Sequence, residues 1–173
     1  MTWTRPLTIS GIGAIIAITV LIAGCGGSGS SERNAAGSTT TTYSTAKDIT
    51  TLNGTSVPGR MLPLQNTLTM LDTVDANGLR LYITRGTRLA GTRVAIHTHE
   101  YGGQTCVLTG VMTDFVDGME PQTFPAGTCY YMPPDTLMSA SNLGTEDAIL
   151  IDTFNLPVGV PAITIREPGY PVS

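Results

Sequence analysis

The chain has 173 residues, of which 41% are hydrophobic and 13% charged, and a net charge of −4. That length suits one domain with appendages, and the apolar content excludes wholesale disorder. An acidic balance without a basic stripe excludes a nucleic-acid-binding surface. The only two histidines, His97 and His99, exclude any site needing three imidazoles from one copy.

Residues 1–24 read as an export signal. Arg5 supplies the positive start, and Leu7 to Ala23 is an apolar run without a charge. The run ends in Ile22-Ala23-Gly24-Cys25, which resembles the lipobox of bacterial lipoproteins. The resemblance implies cleavage before Cys25 and acylation of Cys25, with palmitate among the acyl groups. Two or three chains then anchor the protein stably at the extracytoplasmic face of the cell membrane. An uncleaved membrane anchor and a plain secretory signal are the other readings of this segment. Over 25–48 follows a tether: ten of the twenty residues from Gly26 to Thr45 are Ser or Thr and four are Gly. So little apolar surface predicts a disordered linker. The hydroxyl row Ser38 to Thr42 would also suit O-glycosylation, although a bare spacer is the favoured reading.

Beyond the tether the pattern is β throughout. Leu79, Leu81 and Ile83 alternate with Arg80, Tyr82 and Thr84 after the Asn77-Gly78 turn signal, predicting a half-buried strand. Arg85-Gly86-Thr87 then leads to a second strand, Leu89 to His99. Further strands are predicted over Thr105–Thr113 with Gly110 inside, around the Asp117-Gly118 hairpin signal, over Thr128–Met132 before Pro133-Pro134, and over Ala148–Phe154. No helical period is sustained. Many short strands at regular spacing predict a sandwich or barrel.

The punctuation resembles the two signatures of the cupin superfamily. Gly91, five residues, His97-Thr98-His99 and then Gly110 match the first; Gly127, five residues, Pro133 and then Asn142 match the second. The resemblance implies an all-β fold, a small jelly-roll β-barrel over residues 60–166, with 167–173 as a tail. It also implies a transition metal, one of Fe, Mn, Ni, Zn or Cu, held by the two histidines, a Glu and a third His. Residues two apart on a strand share a face, so His97 and His99 project together. The Glu position falls on Gln104 or Gly103, depending on which end it is counted from, and the third His position is Met138. Glu100 alternates to the opposite face.

Three readings of the pair stand side by side. One is a metal held by His97, His99 and Gln104, serving an enzyme of the dioxygenase or isomerase type. The second is a barrel that binds a small molecule or acts as a sensor without metal. The third is a copper site of His97, His99 and Met138, since thioethers suit copper(I). Tyr130 and Met138 are expected in the ligand pocket. Arg93, in phase with His97, either joins them and favours an anionic ligand or sits at the rim against solvent or an acid. The Tyr101-Gly102-Gly103 turn shapes the rim. Val94 and Ile96, on the opposite phase, predict an apolar outer face for a homodimer partner or the N-terminal segment to cover, and Ile163-Thr164-Ile165 an added strand. The cupin strand order also implies that Cys106 and Cys129 lie on neighbouring strands, joined in the oxidising compartment; two free thiols, or Cys106 beside the histidines, are the alternatives. With no general base evident, a ligand-binding or sensory module is favoured over an active enzyme.

Overall fold

The computed structural model describes residues 48–171. The expected signal peptide, the expected lipidation site Cys25 and all of the expected tether but Asp48 lie outside the described residues. Within them, twelve strands form and no helix. In chain order these are β1 (Arg60–Met61), β2 (Gln65–Val74), β3 (Leu79–Arg88), β4 (Thr92–Arg93), β5 (His97–Thr98) and β6 (Gly103–Thr109). They continue with β7 (Val111–Val116), β8 (Gln122–Pro125), β9 (Cys129–Met132), β10 (Met138–Ser141), β11 (Ala148–Pro157) and β12 (Thr164–Ile165).

One sheet is antiparallel in the order β2-β3-β11-β6-β9. The other runs β1-β4-β10-β5-β12, with β7 on β10 and β8 on β7. Their inner faces share one core, in which Val107, Leu150 and Phe154 of the first sheet meet Met112, Met138 and Ala140 of the second. The result is an all-β jelly-roll barrel.

Three local features differ from the sequence reading, each for a tertiary reason. Arg85-Gly86-Thr87 does not connect two strands but belongs to one, because β3 runs straight through it. Gly86 is there for space: a Cβ on it would lie 3.1 Å from Leu64 Cδ1. Gly110 ends one strand rather than sitting inside it. With φ at +74° it redirects the chain from β6 in one sheet to β7 in the other, and its missing Cβ lets Ala148 Cα approach to 2.9 Å of that point. The expected strand Leu89–His99 is split into β4 and β5. The Asp117-Gly118 hairpin forms between β7 and β8, and β12 adds a strand to β5.

The folded unit also extends past the expected bounds. Leu52 and Val57 pack on Ile96, with Phe115 and Leu137 against them. Of the two covers expected for this face, a homodimer partner or the N-terminal segment, Leu52 and Val57 supply the second over Ile96, and Val94 belongs to the inner core. Residues 167–171 are no free tail, since Glu167 is buried and Tyr170 packs against the core. Cys106 and Cys129 are register partners on β6 and β9, and a disulfide joins them with Cα atoms 4.0 Å apart. They sit on the outer face, opposite to Thr105 and Tyr130, so neither sulfur faces the histidines.

Candidate functional site

A bulge sets the site. Against β10, Ser141 pairs with Arg93 and Met138 with His97, so three steps on one strand oppose four on the other. One extra residue inverts the facing of everything before it. Val94 therefore lines the cavity and Arg93 turns away from it, which removes Arg93 from the expected pocket set. Arg93 instead donates to both carboxylate oxygens of Glu167, at 2.6 and 2.7 Å. The same carboxylate accepts the Ile96 N–H at 2.8 Å, and the Ile96 carbonyl accepts the N–H groups of Arg166 and Glu167. A residue seventy positions downstream thus satisfies the backbone that the bulge takes out of the sheet.

Immediately after it, His97 and His99 both point inward and are almost wholly buried. His97 Nδ1 lies 2.7 Å from the Ala95 carbonyl, and His99 Nδ1 lies 2.5 Å from that of Ala162. A carbonyl only accepts, so each Nδ1 carries the proton and each Nε2 is left with a lone pair. Those two Nε2 atoms face one another at 3.0 Å. Burial, then the neighbouring His99, pushes the His97 pKa down to about 3, and burial lowers that of His99, so protonation does not relieve the opposition at neutral pH. Such a separation is what two adjacent ligands keep on a cation with bonds of about 2.0–2.1 Å, and carbonyl-held Nδ1–H groups are the usual outer support of ligating imidazoles.

The remaining expected ligands divide. Met138, the register partner of His97, is fully buried and lines the same cavity. Gln104 is exposed on β6, so its amide is removed from the ligand set. Gly103 occupies the inward position instead, and a Cβ there would meet Phe154 at 2.7 Å and Met132 at 2.9 Å. Where a carboxylate ligand would stand, Phe154 fills the space, its ring centroid 5.3 Å from that of His99. Glu100 is exposed in the turn before Gly102. No cluster of three His, Cys, Asp or Glu side chains exists among the described residues. Two neutral imidazoles with a thioether nearby fit a soft or borderline cation; they do not fit iron(II) or manganese(II), which want carboxylates.

The cavity has a volume of about 430 Å³, and its wall is mostly apolar. Tyr130 and Met138 line it as expected. Arg88, Asp152 and Tyr170 line it as well, and the sequence reading passed over all three. Arg88 was legible in principle, since it continues the inward phase of Tyr82 and Thr84 on β3, but ending the strand before Arg85 hid it. Asp152 accepts the Thr105 hydroxyl at 2.6 Å. Asn142 has a structural role: its side-chain N–H groups reach the carbonyls of Arg88 and Glu146, and its oxygen accepts the Gly144 N–H.

Asp114, on β7, gives a test of the inner polarity. It is buried, and its Oδ1 has no partner among the described residues. Burial raises its pKa from 3.8 to about 7. Between those values the folded state keeps a proton that the unfolded state has released, so this carboxyl lowers stability as pH rises through the window. Asp114→Asn is expected to gain about 1–3 kcal/mol on the parent between pH 4 and 8. Urea unfolding of both proteins across that range measures it; parallel curves would remove the assignment.

No family model matches the sequence, and no curated protein does. Solved structures do overlay on it. An uncharacterized conserved protein with a double-stranded β-helix domain from Klebsiella pneumoniae is 20% identical over 62% of this chain and 90% of its own, with a TM-score of 0.48. A cupin-like protein from Thermotoga maritima is 17% identical over 63% and 85%, with a TM-score of 0.47. An RmlC-like cupin family protein from Methanocaldococcus jannaschii is 14% identical over 60% and 91%, with a TM-score of 0.45. At these levels the likeness concerns fold alone. Two facing sheets, antiparallel except for the parallel β1–β4 pair, with both histidines turned into the space between them, give this chain its jelly-roll fold.

Proposed function

We propose that the barrel is a small-molecule-binding module, carried on a lipid anchor at the extracytoplasmic face of the membrane, whose His97–His99 pair holds one soft transition-metal cation. The opposed Nε2 lone pairs, 3.0 Å apart with both Nδ1 atoms committed to carbonyls, carry this reading. A cation there satisfies both lone pairs and leaves positions open toward the cavity. Bound metal would act as a Lewis acid on the ligand atom that it meets. The chain's own part is to fix both rings, exclude water with Phe154 and Met132, and offer an apolar chamber. Without a carboxylate ligand or a general base beside the pair, binding or sensing is favoured over turnover.

Met138 supports a second, narrower reading, in which the cation is copper(I), because a thioether beside two imidazoles selects it over harder ions. The test is equilibrium competition for copper(I) and zinc by the full-length protein, purified without chelator or histidine tag. One equivalent should bind, and His97→Ala/His99→Ala should abolish it. Met138→Leu should weaken copper(I) more than zinc. Equal losses for both ions would return the site to an unspecific His pair, and undiminished binding in the double variant would refute the assignment.

A further inference from the structure

Two arginines are buried in this domain, and the fold treats them differently. Arg93 is ion-paired on two edges by Glu167. Arg88 is 4% exposed, lines the cavity, and is absent from both ion pairs found among the described residues. One Nη1 of Arg88 donates to the Leu62 carbonyl, while its buried Nε has no partner. A guanidinium in an apolar wall with donors unused is costly unless something accepts from them.

Among the described residues the Tyr170 hydroxyl is the side-chain hydrogen-bond partner of Arg88, and no carboxylate pairs with it. Asp152 lines the same cavity and accepts from Thr105 rather than from Arg88; burial raises its pKa, against the pull of the Thr105 hydroxyl and of the Arg88 charge. Tyr170, from the C-terminal segment, stands beside Arg88 with its hydroxyl directed at the same Leu62 carbonyl. Beyond the guanidinium the wall is apolar, formed by Leu64, Met112, Met138 and Leu150. One planar cation with an apolar chamber behind it matches a monoanion with an apolar body. A carboxylate is the planar partner that accepts from two guanidinium donors at once.

We infer that the cavity takes a small molecule bearing a single carboxylate, which accepts from the Arg88 guanidinium where it lines the cavity, while its apolar body lies against Met112, Met138 and Leu150. This rests on the reading of the cavity as a small-molecule site, and it names the ligand class. It also restores the anion preference that the sequence suggested for Arg93, on a different arginine.

Isothermal titration of the full-length protein with benzoate and with benzamide, its uncharged isostere, tests the inference. Benzoate should bind about tenfold or more tightly than benzamide. Arg88→Met should lose that preference, and Arg88→Lys should keep only part of it, having charge but no fork. The parent protein stripped of metal with a chelator should retain the preference in full, which separates Arg88 from any carboxylate bound by metal. Equal binding of the two compounds would overturn the inference while leaving the cavity a small-molecule site. Binding of neither to the parent would overturn it as well, and the copper and zinc competition would still report on the histidines. If Arg88→Met does not fold, the benzoate-to-benzamide ratio in the parent and in Arg88→Lys decides.

Discussion

Glu167→Ala is expected to lower the unfolding free energy by about 3–5 kcal/mol, because it leaves a buried guanidinium without its partner. The carboxylate serves three donors: two edges of Arg93 and the Ile96 N–H. Burial works against its charge, but the bonds from Arg93 and Ile96 outweigh this and hold its pKa below the ordinary value. Glu167→Gln, which keeps an oxygen for Ile96, should lose less. Arg93→Met/Glu167→Leu should recover much of the loss, since an apolar pair replaces a buried ion pair at little cost. Because Ile96 precedes His97, Glu167→Ala should also weaken metal binding, and the double variant should not restore it. Urea unfolding and copper(I) competition on the three variants measure both effects. A loss under about 1 kcal/mol would mean that the pair behaves as a solvated surface bridge.

Removing the disulfide should be the next largest effect. Cys106 and Cys129 are 23 residues apart in sequence, and a loop of that size constrains the unfolded chain by about 2–4 kcal/mol. Cys106→Ser/Cys129→Ser should therefore unfold at lower urea, with the slope of the transition altered because its unfolded state is more open. Metal binding should survive, as the bridge lies on the outer face of β6 and β9, away from the cavity. A thiol titration under denaturing, non-reducing conditions should find neither cysteine free; two free thiols would exclude the bridge.

What the sequence showed and what it hid follow from the range of the interactions. Strand alternation around Leu79 to Thr84, the Asp117-Gly118 hairpin and the shared face of His97 and His99 depend on neighbours within a few residues, and they were legible. The bulge before His97 was not, because it is stabilised by Glu167, far along the chain and outside the expected domain. It reversed Arg93 and Val94 together, so one hidden residue accounts for two misplaced side chains. Gly86 was read as part of a connection between strands because sequence shows a missing side chain but not Leu64 pressing into the gap. Gln104 was placed by counting within a motif, whereas its facing is set by β6 pairing with β9, where Gln104 lies opposite exposed Tyr131. Asp135, two residues after Pro133, adopts a φ of +51°, a left-handed conformation that sequence alternation does not show.

The central claim is that His97 and His99 present two unprotonated Nε2 atoms to one cation. Imidazole ¹⁵N resonances of the labelled full-length protein, recorded with and without one equivalent of copper(I), address it most directly. The account predicts that both Nε2 resonances shift on loading while both Nδ1 atoms keep their protons. A shift confined to one ring, coordination through Nδ1, or an Nε2–H persisting in the loaded protein would contradict it.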